Sequence, residues 1–107
     1  MDAIKNTLKR HLGDKLIYCD LEYDKNYGSY VKVLVSDNAS DTVKIWLQVL
    51  NDTKHLGIPI FFEWLGKNDL SPEELGMYVA IALIKMELHP VTEKPIDFLK
   101  ILKEERR

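Results

Sequence analysis

The sequence predicts an α+β fold: a two-layer sandwich of order α-β-β-α-β-α-α, with helices packed mainly on one face of a small mixed three-stranded sheet. Three observations carry that expectation. KLIYCDLEYD and YGSYVKVLVS each alternate with period two on either side of the turn-forming DKNYG. SPEE at 71–74 is a helix start standing before a strongly apolar run. The length of 107 residues, with 46% hydrophobic and 30% charged residues, suits one globular domain spanning 1–107. A chain of this size buries roughly two thirds of its unfolded surface, enough for a single core.

The elements follow in order. From Ala3 to Leu12, Ile4, Leu8 and Leu12 recur every fourth residue between lysines and arginine, and Gly13 follows, so a short amphipathic helix is expected. In the first strand Ile17, Cys19, Leu21 and Tyr23 share one face, and Leu16, Tyr18, Asp20, Glu22 and Asp24 the other. The second strand sets Val31, Val33 and Val35 against Tyr30, Lys32 and Leu34. Keeping the valines on the face of Cys19 and Leu21 requires the numbers of opposed residues to sum to an even value, about 52 for a three-residue loop. Asp20 then faces Lys32, and Tyr18 faces Leu34.

After SDNAS, with Ser40 or Asp41 as N-cap, a second helix bears Val43, Trp46, Leu47 and Leu50 on its main stripe. Ile45 and Val49 lie off that stripe, so the helix is expected to be covered on more than one side. Gly57 ends it. IPIFFEWL returns as a third strand, and Pro59 marks it as an edge or a strand start. At SPEE, Ser71 is placed to cap, Pro72 to occupy the first helical position and Glu74 to close the capping box. The helix from there to Leu88 is apolar at almost every angle, as in helices buried under a neighbour or in a subunit interface. Pro95 to Glu105 repeats the amphipathic pattern as a last helix.

Composition narrows the function classes. With 15 Lys and Arg against 17 Asp and Glu, a net charge of -2 and no basic half, the chain lacks the electrostatic footprint of a nucleic-acid binder. Arg106 and Arg107 sit beside Glu104 and Glu105, a favourable placing of cations at a helix end. Cys19 is the only cysteine, which excludes an intramolecular disulfide or a CxxC site and fits a reducing, cytoplasmic setting. No signal peptide is read at the N-terminus, and the longest apolar run, Met77 to Ile84, is far short of the roughly 20 residues a membrane span needs. No membrane partner is therefore expected.

Chemistry-bearing motifs are weak. Asp20, Glu22 and Asp24 fall on one strand face with Lys32 opposite, a set that could hold Mg²⁺ for phosphodiester hydrolysis. The acid-x-lysine step of metal-dependent nucleases is missing, since Val31 precedes Lys32. His11, His55 and His89 are separated by 44 and 34 residues, and none makes a helical ligand pair. Cys19 faces the expected core, where a thiol is inert. The glycines form no phosphate-cradling loop. The reading therefore assigns no catalytic residue, metal, cofactor or small-molecule ligand. Over residues 4–65 the element order and the stretch YVKVLVSDNAS resemble the BolA and type II KH arrangement in topology. Residues 12–54 hold no histidine for a BolA-like ligand and no KH-type glycine loop, so no functional residue is carried over.

What stands out is a surface. In the third strand Ile58, Ile60, Phe62 and Trp64 alternate with Phe61, Glu63 and Leu65. If the former meet the helices, the open sheet face carries Tyr18, Asp20, Glu22, Tyr30, Lys32, Leu34, Phe61, Glu63 and Leu65, with Leu16 beside them. Aromatics with a few charges describe a protein interface better than a solvated sheet. The alternative is that the last helix folds over this face and turns it into a second core. The sequence is thus read as a small cytoplasmic non-enzymatic interaction domain: a subunit, regulator or inhibitor docking on another protein, or on itself as a homodimer, through this face or the apolar helix 71–88. A Mg²⁺-dependent nuclease or phosphoesterase using the strand carboxylates is the alternative.

Overall fold

The computed structural model describes residues 2–26 and 28–87. Helix α1 spans Asp2–Leu12, strands β1 and β2 Leu16–Asp24 and Gly28–Val35, α2 Ala39–Thr53, β3 Ile60–Trp64 and α3 Pro72–Lys85. The order α-β-β-α-β-α agrees with expectation; the end of the apolar helix beyond Glu87 and the last helix, 95–105, lie outside the described residues. The strands form one sheet of order β1-β2-β3, antiparallel between β1 and β2 and parallel between β2 and β3. A helix joins the two parallel strands, as a parallel connection requires. No helix among the described residues is long and apolar enough to cross a membrane.

The hairpin adopts the expected register, with Asp20 opposite Lys32 and Tyr18 opposite Leu34. One departure is a bulge: Leu16 pairs with Val35, leaving Ile17 as the extra residue before Tyr18. The face assignment at the start of β1 is thereby corrected. Leu16 packs against the core, whereas Ile17 is 54% exposed. Below the bulge the valines of β2 are fully buried with Ile60, Phe62 and Trp64 of β3.

Against that face lie Ile4, Leu8 and Leu12 of α1, Val43, Trp46, Val49 and Leu50 of α2, and Leu75, Val79, Ala82 and Leu83 of α3. Burial of Val49 bears out that α2 is covered beyond its main stripe, and Leu47 is only half-buried. Trp46 is the keystone. Its indole N–H donates to the Ile60 carbonyl at 2.7 Å, and its ring lies 6.1 Å from that of Phe62 and 6.0 Å from that of Trp64.

Helix ends show which signals were local. Ser71 accepts the Glu74 N–H at 3.1 Å, the capping bond the motif predicts, and its hydroxyl, rather than its backbone N–H, donates to the Glu74 carboxylate, with Pro72 at the first turn. At α2 the N-cap is Asn38 rather than Ser40 or Asp41, and its side chain does not cap its own helix. Asn38 Oδ1 instead accepts the Lys67 N–H at 2.8 Å. Asp69 takes both the Ser40 N–H, at 2.9 Å, and the Ser40 hydroxyl. The first turn of α2 is therefore satisfied by the loop that follows β3.

Candidate functional site

The site is the sheet face turned away from the three helices, built row by row by the strand register. Tyr18, Leu34 and Glu63 make one row, Asp20, Lys32 and Phe61 the next, and Glu22 and Tyr30 a third. Leu65 follows the end of β3, anchored by its N–H on the Val35 carbonyl at 2.8 Å. Register thus brings eight of the nine sequence-derived residues to one side of the sheet, and Leu65 lies just beyond it.

Their environments differ. Tyr18 and Leu65 are 38% and 55% exposed, and Asp20 and Glu22 are also exposed. Tyr30, Lys32, Leu34 and Glu63 are half-buried. Phe61 is only 3% exposed and belongs to the core cluster, its ring edge-on to Tyr30 at 5.4 Å and 6.4 Å from Trp46. The expected exposure of Phe61 is thereby corrected: its ring is covered by packing in the core cluster, with Tyr30 and Trp46 beside it, and strand alternation states a direction, not an accessibility.

Electrostatics organise the middle of the face. Lys32 Nζ lies 3.5 Å from Glu63 Oε2 across neighbouring strands, a half-buried pair less screened by salt than one on a fully wetted surface. Glu63, the one carboxylate of IPIFFEWLG, is the counter-ion of Lys32. The Tyr18 phenol is pushed above its ordinary value, first by desolvation and then by the negative field of Glu22 and Asp20. It stays neutral as a hydrogen-bonding, stackable ring at physiological pH. The Cys19 thiol, on the helix side of β1, is pushed up chiefly by burial, which disfavours the reactive thiolate.

The carboxylates of the nuclease reading do not converge. Asp20 Oδ1 accepts the Leu21 N–H at 2.8 Å and Asp24 Oδ1 accepts the Asn26 N–H at 2.7 Å. Among the described residues no three His, Cys, Asp or Glu side chains group as metal ligands. His11 instead sits 2.8 Å from Asp52, which also meets Arg10 at 3.1 Å, tying the end of α1 to that of α2. That link and the Trp46 bond to Ile60 join residues far apart in sequence, and no local spacing announces either.

Searches against family models, curated proteins and solved structures return no match for this chain.

Proposed function

We propose that this chain is a small non-enzymatic protein-interaction domain, a subunit or regulator that docks through the open sheet face. The observation that carries the reading is the pairing of exposed Tyr18 and Leu65 with exposed Asp20 and Glu22 around the half-buried Lys32 and Glu63. Aromatic and aliphatic groups supply contact area on docking, and charges at their margin set orientation and reject mismatched surfaces. On α3, on the other side of the sheet, Met77 and Ile84 are 51% and 76% exposed and give a partner a second, separate apolar surface.

The test begins with mass in solution by light scattering across a concentration series, followed by affinity capture from cell extract. Tyr18→Ser combined with Leu65→Ser should abolish whichever association is found while leaving helical circular dichroism unchanged, because both side chains are exposed. Phe61→Ser serves as the opposite control. Its ring is buried, so its loss should cost about 3–5 kcal/mol of stability. An association that survives the Tyr18 and Leu65 replacements would sink the proposed face.

A further inference from the structure

We propose that the outer edge of β1 is a docking strand for an extended basic segment of another protein, one that carries lysine or arginine at alternate positions and adds itself to the sheet. The inference rests on the reading of this chain as an interaction domain and names a partner chemistry that the open face alone does not.

The backbone comes first. The Val31 N–H donates to the Pro59 carbonyl and the Val35 carbonyl accepts from Leu65, so the odd-numbered residues of β2 turn their backbone groups toward β3. Tyr30, Lys32 and Leu34 therefore serve β1, engaging Glu22, Asp20 and Tyr18. The intervening Cys19, Leu21 and Tyr23 point their N–H and C=O groups outward. In a nine-residue strand at the end of the sheet, that is a row of groups with no strand beside it among the described residues.

The opposite edge is treated differently. On β3 the Ile60 carbonyl is taken by the Trp46 indole at 2.7 Å and its N–H meets the Met86 sulfur at 3.3 Å. Trp46 and Met86 thus cover that edge at Ile60. On β1 the outward Leu21 N–H is met by the carboxylate of its neighbour Asp20 at 2.8 Å. A side chain of the same strand can swing away and leave its place to an incoming carbonyl, whereas a buried tryptophan cannot.

Side chains along the edge select the occupant. Leu21 and Tyr23 are 45% and 75% exposed on the helix side, and Ile17 is exposed at the bulge. On the open side stand Asp20 and Glu22, both exposed. An added strand sends alternate side chains to the two sides, with neighbours across the gap about 4.5–5.5 Å apart at Cβ. Its open-side residues meet carboxylates, so cations are favoured there. Its helix-side residues meet Leu21 and Tyr23, so apolar groups are favoured.

A second copy of β1 fits poorly. LIYCDLEYD contains no basic residue, and antiparallel pairing about Leu21 sets Asp20 of each copy beside Glu22 of the other. Like charge across the gap keeps the edge from closing on itself while leaving it open to a basic strand. Asp20 has two tasks in this scheme: in the free chain it blunts the Leu21 N–H, and in the complex it pairs with the incoming cation.

The probe is the peptide acetyl-Lys-Val-Lys-Thr-Lys-Val-Lys-amide, titrated into the isotope-labelled full chain, with the same peptide bearing glutamate in place of lysine as comparison. The readouts are amide chemical shifts and hydrogen exchange. The basic peptide should slow exchange at the Cys19, Leu21 and Tyr23 amides and leave exchange at the β3 amides unchanged. Asp20→Asn with Glu22→Gln should weaken it about threefold or more, the loss of two exposed ion pairs. Absence of protection at those amides, equal binding of the glutamate peptide, or an undiminished affinity of the double variant would each overturn the docking-strand inference. If those amides stay unprotected while Tyr18→Ser with Leu65→Ser abolishes a captured association, the docking strand falls and the interaction-domain reading stands. Protection of the amides with no role for Tyr18 and Leu65 would place recognition at the edge alone.

Discussion

Trp46 and Trp64 offer a controlled comparison, because both are buried, both touch Phe62, and among the described residues only Trp46 has a partner for its indole N–H. Trp46 donates to the Ile60 carbonyl at 2.7 Å, whereas the Trp64 Nε1 is buried and meets no acceptor among the described residues. Replacement by phenylalanine removes the same atoms in each case, so the transfer and cavity costs are comparable. At Trp46 the change strands the Ile60 carbonyl in a buried edge, at about 1–3 kcal/mol. At Trp64 it removes a donor whose desolvation the native state already bears, so a similar cost is relieved rather than added. Trp46→Phe should therefore be less stable than Trp64→Phe by about 2 kcal/mol or more. The assay is urea denaturation of both variants followed by far-ultraviolet circular dichroism, since tryptophan fluorescence changes with the substitution itself. Equal midpoints at equal slope, or a more fragile Trp64 variant, would refute the assignment of the Trp46 bond as a structural tie.

Two further perturbations test the loop that caps α2. A Cβ at Gly66 would lie 2.7 Å from Asn38 Oδ1 and from the carbonyl carbon and oxygen of Asp37. Backbone there is held by the Ala39 N–H on the Lys67 carbonyl, so Gly66→Ala should cost about 1–3 kcal/mol in a urea titration, with Gly76→Ala, where a Cβ meets nothing within 4 Å, as a mild comparison. In acid, Asp37, Asp52 and Asp69 act together. Each is held below the ordinary value of 3.8, chiefly by hydrogen bonds from Lys15, His11 and the Ser40 hydroxyl respectively. A carboxylate depressed in the folded state binds fewer protons there than in the unfolded chain, so its contribution is complete above the ordinary value and fades as pH falls through the lower folded values. The urea midpoint should decline below about pH 4, and Asp69→Asn should flatten that decline; an unchanged pH profile in the variant would remove Asp69 from the account.

Local signals are the ones that carried through. Ser71, Pro72 and Glu74 set the start of α3 because a capping box is closed within four residues of chain. The three-residue loop and the valine alternation fixed Asp20 against Lys32, since a slip by one residue would turn Val31, Val33 and Val35 out of the core. The same alternation assembled the open face from three strands, down to the opposition of Leu34 and Glu63.

Other features exist only once distant segments meet. The bulge at Ile17 and the burial of Phe61 on an outward position have no period-two signature. The cap of α2 by Asp69, the reach of Trp46 to Ile60 and the His11–Asp52 link join residues 29, 14 and 41 positions apart. Away from the bulge, sequence by itself decided which side chains share a face, because that depends on backbone periodicity and turn length. Tertiary structure alone decided which of them are covered and, among the described residues, which edge is capped at Ile60 and which has no strand beside it, because desolvation and hydrogen-bond partners belong to whatever element packs alongside.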